Sequence, residues 1–350
     1  MMNNKTTAIF MAILAAALFG ISLPVSKLLL VEIPSTLMAA ALYLGAGFGM
    51  LVINIVKMVR KKEQIEAKMT KKEMPYIIGM IILDVAAPVC LMMGLTMTTS
   101  ANASLLSNFE IVATSLVALL IFKESIGKSM WIAISLITLS SIVLSVEDLN
   151  SFSFSIGSIF VILACLCWGF ENNCTRMLSL KDPQQIVVVK GLCSGVVSLV
   201  IALALKQYST NILYLSTALS LGFVSYGLSI YFYIIAQREL GAARTSAYYA
   251  GAPFIGVLLS AIIFGQQITM SFMISLLIMT IGAYFAVAEY HKHAHIHEEI
   301  THEHRHNHKD NHHTHTHDCE GESEHNHVHI HDMTAHIHKH TPDMHHAHDH

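Results

Sequence analysis

Apolar residues run along this chain in long blocks separated by short polar stretches. Ten can be marked: roughly Ala8 to Leu30, Thr36 to Val59, Met74 to Leu95, Ala101 to Phe122, Met130 to Val146, Gly157 to Leu178, Pro183 to Leu205, Leu213 to Ala236, Thr245 to Phe264 and Met270 to Glu289. A hydrocarbon core about 30 Å thick is crossed by about 20 helical residues at 1.5 Å each. The blocks predict an all-α integral membrane fold of ten transmembrane helices.

The pattern also repeats. Leu119-Leu120-Ile121-Phe122-Lys123-Glu124 returns 142 positions later as Ala261-Ile262-Ile263-Phe264-Gly265-Gln266, with Ala101 and Ser104 falling on Ala243 and Ser246. Ile13-Leu14-Ala15 returns 149 positions later as Ile162-Leu163-Ala164, Phe19-Gly20 as Trp168-Gly169, Lys27 as Arg176 and Pro34 as Pro183. The first block, although Lys5 precedes it as in a secretory leader, is therefore expected to be a retained helix. Five helices per copy is an odd number, so the second copy starts on the opposite side of the membrane. The expected organisation is two inverted five-helix repeats, residues 1–146 and 147–289, followed by a tail, 290–350.

Composition agrees: 53% of residues are hydrophobic and 13% charged, against about a quarter charged in soluble domains. All 23 histidines lie from His291 onward. Before residue 290 there are 17 Lys plus Arg against 13 Asp plus Glu, and after it 4 against 11, so a slightly basic body is joined to an acidic tail. Short cytoplasmic loops retain Lys and Arg. The loop after the second block holds Lys57, Arg60, Lys61, Lys62, Lys68, Lys71 and Lys72, and alternate loops add Lys123, Lys128, Arg176, Lys181, Arg238 and Arg244. A multi-pass cell-membrane protein with both termini cytoplasmic is expected. Cys90, Cys165, Cys167, Cys174 and Cys193 sit in apolar segments and read as small packing residues.

In its paired halves, in Ala16-Ala17-Leu18-Phe19-Gly20 and Leu166-Cys167-Trp168-Gly169, and in Leu240-Gly241-Ala242-Ala243-Arg244-Thr245-Ser246-Ala247 followed by Ala252-Pro253-Phe254, the chain resembles the EamA-type transporters of the drug/metabolite transporter superfamily over about residues 8 to 288. The family's Glu-Pro pair is divided here: Glu110-Ile111 in the first half, Ala252-Pro253 in the second. The resemblance implies a carrier of small organic solutes. The expected function is secondary transport, in the exporting direction, of a small organic metabolite or drug-like solute by alternating access. A nickel, cobalt or zinc transporter and a membrane-anchored metal buffer are the alternatives. No catalytic residue is expected: there is no HExxH pattern, nucleotide-binding glycine loop or soluble domain.

A carboxylate at the centre of a span costs about 2.5 to 3.5 kcal/mol on insertion scales, so such groups are functional suspects. Glu110 and Asp84 both fall near the middle of their blocks and read either as proton- or amine-binding groups or as partners of Lys190 or Lys27 that fix packing. Lys190 reads as a counter-charge for a substrate carboxylate or as a structural lysine. Trp168, Glu171 and Asn172 share a helical face suited to a cavity wall. Tyr226, with Tyr231, Tyr233, Tyr248 and Tyr249, could stack on an aromatic solute or only pack. Pro24, Pro88 and Pro253 are expected inside helices, as kinks.

The tail repeats His-x-His. His291, His293, His295, His297, His302, His304, His306, His308, His325, His327, His329 and His331 are the expected metal-binding imidazoles, for zinc, nickel or cobalt ions. The tail is low in aliphatic residues and is expected to be disordered without metal. No cofactor is required. The expected partners are a small-molecule substrate, the lipid bilayer and a divalent transition metal, with a homodimer left open and nucleic acid not expected.

Overall fold

The computed structural model describes residues 4–59, 71–121, 127–148, 153–178, 181–240, 245, 248–265, 269–287, 291–297, 300–306, 325–331 and 334–340. Expectations about Arg60 to Lys68, Lys123, Glu124, Arg244, Gln266, His308 and the histidines of 312–317 and 345–350 fall outside these residues.

The body is helical. In chain order the helices are α1 (Asn4–Gly20), α2 (Ser22–Leu29), α3 (Ser35–Val59), α4 (Met74–Met97), α5 (Ser100–Leu106), α6 (Phe109–Leu120), α7 (Lys128–Ser145), α8 (Ile156–Leu178), α9 (Pro183–Ala204), α10 (Ile212–Gly222), a π-helical turn at Phe223–Leu228, α11 (Ser229–Leu240), α12 (Ala252–Phe264) and α13 (Met270–Val287). Among the described residues, seven stretches are long and apolar enough to cross a membrane: Thr6–Leu29, Ser35–Lys57, Lys71–Met97, Ser100–Leu120, Ile156–Thr175, Pro183–Ala204 and Ile212–Ala236. Three shorter apolar helices, Lys128–Leu144, Ala252–Phe264 and Met270–Ala286, stand at the other expected places. Phe10, Val52, Ile82, Leu120, Val200, Ile262 and Leu277 are all more than half exposed on the outside of these helices. An apolar exterior is what a hydrocarbon solvent selects; the interior is a mainly apolar core with a minority of buried polar groups.

Several blocks expected as continuous helices are interrupted. The first turns at Ile21, between α1 and α2, and the fourth at Ser107 and Asn108, between α5 and α6. In the ninth, Ala250 and Gly251 form a turn and α12 begins only at Ala252. Pro253 is therefore at a helix start, where its missing N–H is tolerated, and not inside a helix as expected. Pro88 is inside α4 as expected.

The helix pairs form a symmetric set. The third block packs on the sixth (α4 on α8) and the eighth on the first (α11 on α1); α6 packs on α8 as α12 packs on α1; α3 packs on α9, α5 on α12 and α7 on α13. Exchanging each helical block with the one five places on returns the same set. Glycines mark the closest approaches. A Cβ added at Gly20 would lie 2.9 Å from Ile255 Cβ, and one at Gly169 would lie 2.5 Å from Ala113 Cβ. Helices α3 and α9 run in opposite directions: Thr36 N donates to Gln207 Oε1 at 3.0 Å at one end, and Lys57 Nζ to Gln184 Oε1 at 2.8 Å at the other.

Val146–Asp148 (β1) and Ser153–Phe154 (β2) pair between the halves. In the described stretches beyond residue 290 the backbone is extended, where disorder was expected. Strand β3 (His291–His297) pairs antiparallel with β6 (Thr334–His340), and β4 (Ile300–His306) with β5 (His325–His331). Strict His-x-His alternation has the two-residue period of a strand, which a composition-based reading does not weigh.

Candidate functional site

The polar side chains predicted along the spans converge in the bundle interior. Asp84 on α4, Glu171 on α8 and Lys190 on α9 are 0%, 1% and 7% exposed. Lys190 Nζ lies 2.9 Å from Glu171 Oε1 and 3.2 Å from Asp84 Oδ2, so one ammonium joins two carboxylates carried by different helices. Tyr43 of α3 donates its hydroxyl to Asp84 Oδ1 at 2.7 Å, and Thr175 Oγ1 donates to Glu171 Oε1. Removing one partner from a buried pair costs about 3–5 kcal/mol, because the other charge is left without compensation.

Glu110 stands beside this cluster. It occupies the first turn of α6, where the helix N-terminus favours a carboxylate. It accepts from Asn172 Nδ2 at 2.6 Å; the same amide donates to Thr114 Oγ1 at 3.2 Å, while Asn173 Nδ2 donates to the Thr114 carbonyl at 3.2 Å. Glu110 is within electrostatic range of Glu171 and Lys190 and, unlike Asp84, remains partly exposed. The expectation that Glu110 or Asp84 pairs with lysine holds for Asp84 alone. Among the described residues Lys27 pairs with no carboxylate: its Nζ donates to the carbonyls of Leu95 and Thr98 at the C-terminal end of α4, the latter at 2.9 Å.

Local chemistry explains the break that places Glu110. Ser107 Oγ donates to Ser104 O at 2.6 Å and Asn108 Nδ2 to Leu105 O at 3.2 Å, so both side chains compete for carbonyls that a continuous helix would use itself. The breaks of the first, fourth and ninth blocks meet around a narrow cleft lined by Phe19, Gly20, Ser22, Ser104, Ser107 and Pro253, among others. Its volume is about 10 Å³, room for about one water molecule. Irregular backbone is tolerated at membrane depth where protein or a cavity surrounds it.

Aromatic rings link the cleft to the ion cluster. Tyr43 lies 5.5 Å from Tyr226, Tyr226 5.6 Å from Phe19, Phe19 5.7 Å from Tyr249 and Tyr249 4.9 Å from Tyr233, centroid to centroid. Tyr226 thus joins the site, on the π-helical turn. Trp168 does not join the charged group: it is 6% exposed and packed in the apolar core, and the cavity wall expected from Trp168, Glu171 and Asn172 is not part of the described cleft, since Glu171 pairs with Lys190 and Asn172 donates to Glu110. Sequence reasoning missed Tyr43 and Thr175. Tyr43 was visible as the lone polar group of the run Leu37 to Ala46, but its partner is 41 positions away.

Both ends of the bundle are tied. At one, Lys27 holds α4 and Thr36 holds Gln207. At the other, Lys57 reaches Gln184 and the Tyr231 hydroxyl at 3.1 Å, and Lys181 pairs with Glu73 at 3.5 Å.

Known proteins resemble this chain. An uncharacterized transporter of Methanothermobacter thermautotrophicus is 27% identical over 286 residues, spanning 78% of this chain and 83% of the relative. A solved crystal structure superposes with a TM-score of 0.58 at 14% identity, covering 80% of this chain and 95% of that one, a likeness of fold alone. The model of the EamA-like transporter family matches residues 6–146 and again 155–288, so this multi-pass membrane protein belongs to the EamA-like transporter family.

Proposed function

We propose that the protein is a secondary transporter that exports a small organic solute by alternating access between two inverted five-helix repeats, residues 1–146 and 147–289, together ten spans with both termini cytoplasmic. The observation that carries this reading is the polar cluster of Asp84, Glu171, Lys190 and Glu110, held inside membrane spans beside three helix breaks. Buried charge in a bilayer protein is costly, and midplane sites beside discontinuous helices are where carriers place substrate. The exchange symmetry of the helix pairs and the opposed directions of α3 and α9 support the inverted repeat. The ties at both ends suit an occluded state; opening either set alone gives access from one side.

An organic solute fits better than a metal ion because the Lys190 ammonium stands between Asp84 and Glu171, where a divalent cation would need those oxygens. We assign the tail an accessory, metal-binding role. The backbone register sets His291, His293 and His295 opposite His340, His338 and His336, and His302, His304 and His306 opposite His329, His327 and His325.

The test compares metabolite and metal content in cells expressing the full chain, Glu110→Gln, or a chain ending at Tyr290, with and without added nickel, cobalt or zinc. The expected result is a solute difference that Glu110→Gln abolishes at normal membrane insertion and that truncation preserves. Full activity in Glu110→Gln rejects its role, and a metal flux that needs the tail replaces the organic reading.

A further inference from the structure

We infer that each of the two tail ladders holds one divalent transition ion, of the zinc or nickel kind, between two adjacent rows of opposed histidines, and that the ion keeps the strands paired. This rests on the metal-binding role proposed for the tail and specifies its sites.

The backbone register supplies the site. Among the described residues each ladder is a separate two-stranded sheet, β3 with β6 and β4 with β5. Each contains three successive rows in which histidine stands opposite histidine. In the first ladder they centre on His293 opposite His338, flanked by His291 with His340 and His295 with His336. In the second they centre on His304 opposite His327, flanked by His302 with His329 and His306 with His325. Residues opposite each other in an antiparallel pair share a face, as do residues two apart on one strand. All six histidines of these rows in a ladder therefore fall on one face.

The spacing suits a shared ion. Directly opposed positions have Cβ atoms about 4.5–5.5 Å apart, and successive rows on one face are about 6.8 Å apart along the strand. Two rows thus set four imidazole-bearing positions at the corners of a small rectangle, and zinc takes four ligands, with nitrogen at about 2.0–2.1 Å. Imidazole selects zinc, nickel, cobalt or copper over magnesium and calcium, which prefer oxygen. Three rows cannot supply two such sets at once, because the middle row belongs to both. One four-coordinate ion per ladder is the consequence.

The ladders also need what an ion supplies. A lone two-stranded pair is at best marginally stable in water. In the first ladder Lys292 stands opposite Lys339, and like charges in direct opposition are destabilising. The face away from those histidines has Ala294 opposite Ile337 and Ile296 opposite Ala335, too few apolar positions for a core of its own. Among the described residues no group of three or more His, Cys, Asp or Glu is already gathered as a metal centre, so the ion brings its ligands together. Binding free energy then appears as pairing of the strands. A string of interchangeable imidazoles would have no privileged row.

The experiment uses the purified full chain in detergent at neutral pH, stripped of metal with a chelator. It is titrated with zinc chloride and, separately, nickel chloride against a chromophoric competitor, while backbone hydrogen exchange is followed in the four strands. Expected are about two tightly held zinc ions per chain, with protection of both ladders that appears with zinc and disappears with chelator. Replacing a middle row, by His293→Asn with His338→Asn or by His304→Asn with His327→Asn, should remove one ion and the protection of that ladder alone. Replacing an outer row, by His291→Asn with His340→Asn or by His306→Asn with His325→Asn, removes as many imidazoles but should leave both ions in place. The middle row and the remaining outer row still make four ligands. Equal losses from middle and outer rows, or full protection without metal, would overturn the inference and leave the tail a metal binder. A full chain that holds neither zinc nor nickel against the competitor would overturn the metal-binding role itself, and this inference with it.

Discussion

The fourth and ninth blocks are counterparts at an offset of 142 positions, and each is interrupted within one residue of the same place. Glu110 of α6 corresponds to Ala252 of α12, and Ile111 to Pro253. The interruption is kept in both halves while the carboxylate is kept in one. The two breaks are also held differently. In the fourth block Ser107 and Asn108 take up carbonyls of the preceding turn; in the ninth a proline opens the new helix. The break is thus architecture common to both halves, and charge is a local addition. A site at their junction is asymmetric even though the scaffold around it is not.

Moving the charge tests that division most severely. In Glu110→Ala combined with Ala252→Glu the carboxylate is transferred to the counterpart position, away from Asn172 and Thr114. Solute export measured in vesicles should fall to background, and the new buried acid should cost about 2.5–3.5 kcal/mol on the insertion scale. Restored export would show that the halves are interchangeable at this position and would end the comparison as drawn.

Much of this was legible in the sequence, for reasons particular to each residue. The blocks gave the spans because bilayer thickness fixes segment length. Asp84, Glu171 and Lys190 were recognisable because an ionisable group in an apolar block has few neutral explanations. The breaks were not legible: Ser107, Asn108 and Gly251 are ordinary residues of membrane helices, and whether they interrupt one depends on which helix packs beside them. Nor was the pairing of Lys27 with backbone carbonyls, since carbonyls leave no mark in a sequence. For the tail, composition suggested disorder whereas period two favoured strands, and the backbone follows the period.

A second test asks whether the shared architecture is equally tight in both halves. Gly20 abuts the start of α12 and Gly169 abuts α6, each against backbone as well as side chain: Ala252 O would be 2.7 Å from a Cβ at Gly20, and the Ala113 carbonyl carbon 2.7 Å from one at Gly169. Backbone cannot turn aside as a side-chain tip can, so Gly20→Val and Gly169→Val should each destabilise by about 1–3 kcal/mol. Thermal unfolding in detergent should show similar losses. A large loss at one glycine and none at the other would mean that the halves do not share this contact.

The smallest effect concerns how each break is held. Ile111 N donates to Asn108 O at 3.0 Å, inside the turn that starts α6. Ile111→Pro removes that donor and leaves the Asn108 carbonyl short of a partner, at a cost of about 1 kcal/mol beyond lost packing. Pro253 stands at the start of α12, where an N–H has no helical acceptor, so Pro253→Ala mainly loosens the unfolded chain and should cost about 0.4–1 kcal/mol. Thermal midpoints of the two variants should therefore fall in a fixed order, with Ile111→Pro lower. The reverse order would mean that proline, and not the Ser107 and Asn108 side chains, is the stronger determinant of the interruption, and that the first half has lost a restraint rather than replaced it.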